Sequence, residues 1–298
     1  MTGAVTVVCG GVGAARFLRA LGEVWPTEHT LGVVNTGDDT VLHGLSISPD
    51  LDTITYTLGD AIDPERGWGM RDESWRAMQA LARFVPVRPT GSSAAPTWFN
   101  LGDQDLATHF YRTARLAEGA TLTEVTDEIR RSFGVVQRLL PMSDERVSTM
   151  VTLAGDDEFG GRAGAEISFQ EYFVQRHHSV AVSGVRFDGA AEAALTPGAH
   201  EALSQSEAVI IAPSNPLVSI GPIRALRGVD QLLTARRTQV VAVSPIVGGA
   251  ALKGPADRML VELGHEASVV GVARLYAPIA GTLVIDPADE HLAPQVEA

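Results

Sequence analysis

A strand, a glycine turn and a helix follow one another near the start of the chain, in residues 5–24, VTVVCGGVGAARFLRALGEV. Residues 5–9 are apolar and rich in β-branched side chains, which predicts a short buried strand. The glycine-rich residues 10–13 end it, and residues 14–24 have the amphipathic period of a helix. A second apolar run at residues 31–34 supplies another strand. Two strands joined by a helix predict a parallel βαβ unit.

Short apolar strand patterns alternate with helical patterns again in the last third of the chain. Nearly all-apolar strands are expected where helices cover both faces of a parallel sheet. Helical patterns occupy residues 200–206 and 268–276. Further strands are predicted at residues 179–185, 208–212, 239–243 and 282–285. We therefore expect an α/β fold with a doubly wound, mostly parallel, Rossmann-like sheet, formed by residues 1–59 and 176–298.

The middle of the chain, residues 60–175, predicts a mainly helical insertion with a β-hairpin. A Pro-, Gly- and Ser-rich stretch at residues 86–96 indicates a mobile loop. Thr121 and Glu124 have the spacing of a capping box at the start of a helix. The predicted helices span residues 72–84, 103–118 and 121–133, and the predicted hairpin pairs residues 147–153 with 166–174.

Composition narrows the class of protein. The 298 residues are 45% hydrophobic and carry a net charge of −13, so a globular protein that repels nucleic acid and anionic membranes is expected. A small anionic ligand is still possible, because loops and helix ends bind phosphate locally. The single cysteine, Cys9, suits a reducing compartment. The chain start has no basic flank and no apolar run is long enough to span a membrane, so a cytoplasmic location is expected.

The glycine turn is a candidate phosphate site. Backbone N–H groups of Gly10, Gly11 and Gly13 could approach a phosphate at the helix N-terminus, and the alternative is a tight turn without a ligand. Arg16 occupies the place of the third glycine of the dinucleotide fingerprint. Asn35 stands where an acidic residue would hold a ribose. Both departures argue against a nicotinamide-dependent dehydrogenase.

Carboxylates follow the second predicted strand in two motifs, NTGDD at residues 35–39 and SPDLDT at residues 48–53. The carboxyl ends of parallel strands face the ligand crevice in such sheets. Magnesium prefers oxygen ligands, and a crowded carboxyl group can also act as a general base. The candidate ligands and bases are the adjacent pair Asp38 and Asp39, together with Asp50 and Asp52. An Asx turn and a helix cap are the alternatives.

Two later loops follow predicted strands, APSNP at residues 212–216 and SPIVGG at residues 244–249. Polar residues held between prolines indicate ligand contacts or, alternatively, turn chemistry. The candidate contacts are Ser214, Asn215 and Ser244. Lys253 and Arg258 either add positive charge to this crevice or are solvated surface residues.

The motif LGDQDLATH at residues 101–109 places Asp105 and His109 four residues apart, on one face of a predicted helix. A local ion pair is the simplest interpretation of this spacing.

Several motifs occur in one order between Gly10 and Gly249. They are GGVGAARF, VVNTGDD, SPDLDT, TLGD, RGWGMRDE, LGDQDLATH, RLLPMSDE, APSNPLVSIGPI and SPIVGG. Together they resemble the 2-phospho-L-lactate transferase family of coenzyme F420 biosynthesis over almost the whole chain. The glycine loop and the RGWG segment resemble most the actinobacterial phosphoenolpyruvate transferase branch.

The resemblance implies a magnesium-dependent transferase that acts as a homodimer. Its donor would be a guanosine diphosphate carrying lactate or enolpyruvate, its acceptor the ribityl hydroxyl of the deazaflavin Fo, and its leaving group GMP. The insertion would cover the deazaflavin. The implied catalytic residues are Asp50 and Asp52, and the implied metal ligands are Asp39, Asp50 and Asp52. The implied donor contacts are Gly10, Gly11, Gly13, Asn35, Ser214, Asn215 and Ser244. The implied deazaflavin contacts are Asp50, Thr53, Trp68 and Asn100.

A nucleotide-sugar-binding regulator of a neighbouring family is the alternative, since it shares the glycine turn and a related fold. The motifs SPDLDT and LGDQDLATH favour the transferase. Relatives are expected to continue for another strand and helix, whereas residues 286–298 have no strong hydrophobic period. The donor acid (lactate, enolpyruvate or glycerate) stays open, because pockets distinguish such small differences only modestly.

Overall fold

The structure, a computed structural model, describes residues 3–92 and 94–298. The predicted loop at residues 86–96 includes Ser93, which lies outside the described part of the chain. The strands are β1 (Val5–Cys9), β2 (Thr30–Val34), β3 (Thr40–Leu42), β4 (Leu45–Ile47), β5 (Arg138–Pro141), β6 (Ser148–Leu153), β7 (Glu166–Ser168), β8 (Val182–Asp188), β9 (Ala208–Ile211), β10 (Val240–Val243), β11 (Ile246–Val247), β12 (Ala250–Ala251) and β13 (Thr282–Val284).

Helices connect these strands and cover the sheet. They are α1 (Gly11–Val24), α2 (Pro49–Leu58), α3 (Arg76–Leu81), α4 (Asp105–Ala117), α5 (Leu122–Ser132), α6 (Pro197–Gln205), α7 (Gly221–Ala225), α8 (Val229–Ala235), α9 (Ala256–Glu262), α10 (Val269–Tyr276) and α11 (Ala293–Glu297). Within the described residues, no helix has both the length and the apolar character needed to cross a membrane.

The main sheet has six strands in the order β13-β10-β9-β1-β2-β5, and all its neighbours pair in parallel. Numbered along the chain among these strands, the order across the sheet is 3-2-1-4-5-6, that of a doubly wound dinucleotide-binding fold. The sequence-based fold class is therefore confirmed. Chain direction across the sheet reverses between β1 and β9, so the ligand crevice of this fold is expected at their carboxyl ends.

The core lies on both faces of this sheet. Val7, Cys9 and Leu18 are fully buried between the sheet and α1. A larger apolar cluster on the other side includes Ile211 and Leu260. Burial on both faces explains why the strands are apolar throughout rather than alternating.

Two strands differ from the sequence-based expectations. The run predicted at residues 179–185 was expected in the main sheet, but β8 begins at Val182 and pairs antiparallel with β6 in a separate three-stranded sheet. A short apolar run does not reveal its pairing partner, which explains this error. β6 also pairs antiparallel with β7, at the start of the run predicted for the hairpin at residues 166–174, whereas Glu171–Gln175 are helical. The edge strand β5 lies within residues 60–175, the stretch assigned to the insertion, yet it pairs with β2 in the main sheet. The division of the chain into two units stays a prediction.

Residues 286–298 form helical turns. The side chain of Asp289 is buried and accepts a hydrogen bond from the backbone N–H of Gly248 at 3.0 Å. This contact joins the last turns to the turn between β11 and β12, so the segment without a strong sequence period nevertheless packs against the rest of the chain.

Candidate functional site

The glycine turn and the loop after β9 meet at the point where chain direction reverses in the sheet. The hydroxyl of Ser214 donates to the carbonyl oxygen of Gly10 at 2.8 Å. A Cβ on Gly13 would lie only 2.6 Å from the carbonyl oxygen of Pro213, so glycine is required for this close packing. Gly11, at φ +75°, has open space beside it, with the hydroxyl of Ser219 the nearest atom at 3.9 Å. Sequence and structure thus agree that Gly10, Gly13 and Ser214 lie together.

Asp50 reaches this glycine turn from the first turn of α2. Its Oδ2 accepts a hydrogen bond from Nδ2 of Asn35 at 2.9 Å, while Oδ1 of Asn35 accepts from the N–H of Gly37 at 2.8 Å. A Cβ on Gly10 would stand 2.7 Å from Oδ2 of Asp50. Burial raises the pKa of Asp50 to about 6, although hydrogen bonds from Asn35 and from the backbone of Gly11 oppose the rise. A carboxyl group with this pKa can exchange a proton near neutral pH.

Asp38, which is buried, and Asp39, which is half-buried, add two more carboxyl groups beside Asp50. Burial raises the pKa of Asp39 to about 8, and it raises the pKa of Asp38 with help from repulsion by Asp50 and Asp39. Oδ2 of Asp39 accepts from the hydroxyl of Ser48 at 2.7 Å. Oδ1 of Asp38 and Oδ1 of Asp39 are buried without a hydrogen-bond partner in the described structure. Unpartnered buried carboxylate oxygens are costly unless a cation meets them, so this cluster fits a hard metal ion.

Asp38 was one of the two adjacent carboxylates that the sequence proposed for magnesium, at the carboxyl end of β2, but it was not among the metal ligands that the resemblance implies. A pattern of two adjacent aspartates does not show which of them turns inward. In the structure Asp38 is the more buried of the two, and Asn35 holds the turn before it by accepting from the N–H of Gly37.

Asp52 faces a different group of residues from Asp50. Residues two positions apart on a helix lie about 200° apart around its axis, so the side chains of Asp50 and Asp52 point in different directions. Oδ2 of Asp52 accepts from Nη1 of Arg112 at 3.1 Å, and a second contact joins Oδ1 to Nη2. The side chain of Arg112 is 2% exposed. Asp52 still contributes repulsion at Asp39, so it belongs to the same acidic region.

The ion pair continues into a buried polar network on α4. Nδ1 of His109 lies 3.7 Å from Oδ2 of Asp52, and its Nε2 lies 3.3 Å from Oδ2 of Asp105. The hydroxyl of Tyr56 donates to Oδ1 of Asp105 at 2.6 Å. Asp52, Asp105 and His109 also offer ligand atoms within 4.8 Å of one another, a spacing at which they could bind a metal ion. The Arg112 guanidinium already supplies positive charge there, so the network serves primarily to join α4 to α2.

The expected deazaflavin contacts lie on separate elements of the chain. Thr53 is buried on α2, whereas Asn100 is exposed next to the buried Leu101. Trp68 is 44% exposed, and its ring centroid lies 6.0 Å from that of Trp75. The Arg66 guanidinium lies over both rings, at 5.4 Å and 5.2 Å.

The turn that carries Trp68 reaches the start of α1. A Cβ on Gly67 would stand 3.4 Å from Cγ1 of Val12, the residue between Gly11 and Gly13. The structure therefore brings the Trp68 turn beside the glycine turn. Thr53 lies on the helix that carries Asp50, and Asn100 remains a prediction from the resemblance alone.

Asn215 and Ser244 use their side chains within their own loops. Oδ1 of Asn215 accepts from the N–H of Leu217 at 2.9 Å. The hydroxyl of Ser244 accepts from the N–H of Ile246 at 3.1 Å. These contacts match the turn chemistry considered as the alternative. Both loops nevertheless follow strands of the main sheet at its carboxyl edge, so a role in donor binding stays a prediction.

The parallel sheet, with buried carboxyl groups at its carboxyl edge, defines a doubly wound α/β fold, in which ligands bind at the carboxyl ends of the strands. The model of the family "2-phospho-L-lactate transferase CofD" matches residues 5–295. The chain belongs to this family of transferases, which confirms the resemblance drawn from its motifs.

Curated relatives agree with this membership. A phosphoenolpyruvate transferase of Kitasatospora aureofaciens is 42% identical over 99% of this chain and 88% of its own length. A phosphoenolpyruvate transferase of Mycobacterium avium is 41% identical over 95% of this chain and 86% of its own length. Among solved structures, a Bacillus halodurans protein of the UPF0052 family superposes with a TM-score of 0.54 at 15% identity, covering 99% of this chain and 90% of that one. This last similarity concerns the fold alone.

Proposed function

We propose that this transferase moves a phospho-enolpyruvyl or phospho-lactyl group from a guanosine pyrophosphate donor to the ribityl hydroxyl of the deazaflavin Fo, with release of GMP, in coenzyme F420 biosynthesis. Family membership and the names of the curated relatives support the transferred group. The buried Asp50 carboxyl, between the glycine turn and Asn35, is the single observation that carries the mechanism.

The reaction requires an alcohol to become a nucleophile. In the proposed step the ribityl oxygen attacks the β-phosphorus in line, the bond from that phosphorus to the GMP oxygen breaks, and the hydroxyl proton passes to a carboxylate oxygen of Asp50. Its raised pKa makes Asp50 a better proton acceptor than an exposed aspartate, while Asn35 fixes its orientation. Such a transfer depends chiefly on positioning and charge stabilisation.

Magnesium is the proposed cofactor. Asp39 and Asp50, together with Asp38, would hold it, because Oδ1 of Asp38 and Oδ1 of Asp39 are buried without a hydrogen-bond partner in the described structure. The ion would neutralise charge on the donor phosphates. The sequence also assigned Asp52 to the metal and to catalysis. Its ion pair with Arg112 favours instead a role in holding α2, and thereby Asp50, in place.

The two substrates are proposed to meet at the glycine turn. The donor would lie along the carboxyl edge of the sheet, against Gly10, Gly11, Gly13 and the loops that carry Ser214, Asn215 and Ser244. The deazaflavin would lie toward Thr53, the exposed face of Trp68, and Asn100, covered by the insertion. This arrangement puts the acceptor hydroxyl near Asp50, at the junction of the two substrates.

Turnover of an Asp50→Asn variant tests the proposal. The change keeps size and hydrogen bonding but removes the proton acceptor, so we expect kcat to fall by about 10²-fold or more. Asp60→Asn is the matched control, because its side chain is 71% exposed and paired only with Arg19 on the surface. A loss below about tenfold in Asp50→Asn would remove it as the base.

Nucleotide-binding calorimetry separates the transferase from the alternative regulator. The transferase is expected to bind GDP in the presence of magnesium. Tight binding of a UDP-sugar without any binding of guanosine nucleotides would support the regulator. A homodimer is also expected, and light scattering after size-exclusion chromatography measures it directly.

A further inference from the structure

Lys253 is the only lysine among the 298 residues, and it lies in the loop between β12 and α9. The chain otherwise takes its basic charge from arginine, since Lys and Arg together number 23. From the sequence, Lys253 and Arg258 were equally eligible to add positive charge to the crevice. The structure separates them. Arg258 is tied to Glu262, with Nε 3.0 Å from Oε1, and donates to the hydroxyl of Tyr172 at 2.6 Å.

Lys253 meets Arg16 across the tryptophan-bearing turn. A Cβ on Gly67 would stand 3.0 Å from Nζ of Lys253 and 3.8 Å from Nη2 of Arg16. The same point is 3.4 Å from Val12 in the glycine turn. Arg16 follows Val12 by one helical turn and so lies on the same face of α1. Two cationic groups from separate elements therefore converge beside the N-terminus of α1.

Neither cation has a carboxylate partner within residues 3–92 and 94–298. Two other arginines of this region are paired, Arg66 with Asp63 and Arg112 with Asp52. Arg16 and Lys253 instead lie beside each other, although the chain has 36 acidic and only 23 basic residues. Their mutual repulsion is relieved when an anion lies between them.

The glycine turn also needs added positive charge to hold a diphosphate. The Asp50 carboxyl group lies against this turn, because a Cβ on Gly10 would stand 2.7 Å from its Oδ2. A diphosphate bound at the turn would therefore lie beside carboxyl groups, and cations outside that cluster would have to contact its phosphates.

We propose that Arg16 and Lys253 form a clamp on the pyrophosphate of the nucleotide donor, a role that rests on the proposed function. The Arg16 guanidinium can bond two phosphate oxygens at once, and Lys253 adds a point charge from the opposite side. Gly67 has to be glycine there, because it sits at φ +75° and any side chain would fill the space between the cations.

Selective acetylation of amines tests the clamp, since Lys253 is the only side-chain amine and the α-amino group serves as an internal reference. With saturating GDP and magnesium, acetylation of Lys253 followed by mass spectrometry should slow by about tenfold, while the α-amino group reacts unchanged. Guanosine, which lacks phosphates, should give no protection. Equal acetylation of Lys253 with and without bound GDP would overturn the clamp while leaving the proposed function intact.

Failure of GDP to bind at all would instead count against the proposed function. Inorganic pyrophosphate with magnesium then decides the clamp: protection of Lys253 supports it, and no protection overturns it. Binding assays complete the test. Arg16→Ala and Lys253→Ala should each raise the Kd for GDP by about tenfold, and Lys253→Arg should retain most of the affinity. Arg19→Ala, on the same helix but paired with Asp60, is the matched control and should leave the Kd within about twofold.

Discussion

Arg112 on α4 and Asp52 on α2 form a buried ion pair, with Nη1 3.1 Å from Oδ2, and so join the two helices beneath the carboxylate cluster. Removing one partner leaves an uncompensated buried charge, which typically costs about 3–5 kcal/mol. We expect Arg112→Met to lower the free energy of unfolding in urea by about this amount. The double variant Asp52→Asn/Arg112→Met should recover part of the lost free energy of unfolding, because neither buried charge is then left without its partner. Additive effects of the two single changes would contradict the pairing.

Single variants of the same pair test the role assigned to Asp52 from the sequence. If Asp52 only positions Asp50, turnover of Asp52→Asn and of Arg112→Met should fall mainly through kcat. Arg112→Lys, which keeps the positive charge, should retain part of the turnover that Arg112→Met loses. If folded Asp52→Asn protein lost turnover as completely as Asp50→Asn, and Arg112→Lys had no effect, Asp52 would belong to the chemistry itself.

The stability of the magnesium-free protein should depend on the ionisation of Asp39. Burial raises its pKa from 3.8 to about 8, so the folded state keeps a proton that the unfolded chain loses near pH 4. Stability therefore falls as pH rises through this window. Asp39→Asn cannot ionise, so its Tm relative to wild type should increase by at least about 3 °C between pH 5 and pH 8 in EDTA.

Asp188→Asn is the control for that series, since the side chain of Asp188 is 65% exposed. Its Tm relative to wild type should not change between pH 5 and pH 8. A flat difference for Asp39→Asn as well would mean that Asp39 is not held neutral by burial. Magnesium should raise the Tm of wild type more at pH 8 than at pH 6, because its carboxylate ligands must lose protons to bind it.

Gly10→Ala should damage catalysis through Asp50 without straining the backbone. Gly10 has an extended φ of −167°, which alanine adopts freely. Its added Cβ would stand 2.7 Å from Oδ2 of Asp50 and 3.0 Å from Cβ of Asn35, so the carboxylate must shift. We expect kcat to fall by about tenfold or more, since small misplacements of catalytic groups are costly. Gly155→Ala, where open space surrounds the new Cβ, is the control; equal effects in the two variants would contradict this contact.

Trp68 should contribute to acceptor binding through its exposed ring. Its 44% exposed indole beside the glycine turn offers an apolar face to a flat deazaflavin. Trp68→Ala should raise the KM for Fo by about tenfold with a smaller change in kcat, and Trp68→Phe should be milder. Trp25→Phe, at the opposite end of α1, should leave both constants unchanged. An unchanged KM for Fo in Trp68→Ala would place the acceptor elsewhere.

Local sequence signals were sufficient for much of the fold. The β1–glycine turn–α1 unit has strong hydrophobic periodicity, and its glycines mark the boundary between strand and helix. The capping box of Thr121 and Glu124 forms as its spacing predicts. Strand β5 was missed because it has only four residues, ends in Pro141 and lies at the sheet edge, where proline is tolerated.

Site residues were predictable where they follow strands, and less so where distant elements meet. Gly10 and Asn35 follow neighbouring parallel strands, so their proximity could be inferred from the βαβ pattern. The partner of Asp52 is 60 positions away on α4, and nothing in the local sequence around either residue specifies that pairing. Arg16 and Lys253 likewise converge only through the fold.

Turnover with product detection by mass spectrometry tests the central claim most directly. The protein would be incubated with magnesium, Fo and, separately, the lactyl, enolpyruvyl and glyceryl guanosine pyrophosphates. We expect GMP and the deazaflavin phosphodiester to appear together, in equal amounts, with at least one donor, and that donor identifies the acid. Absence of both products with all three donors, from folded protein that binds GDP, would contradict it.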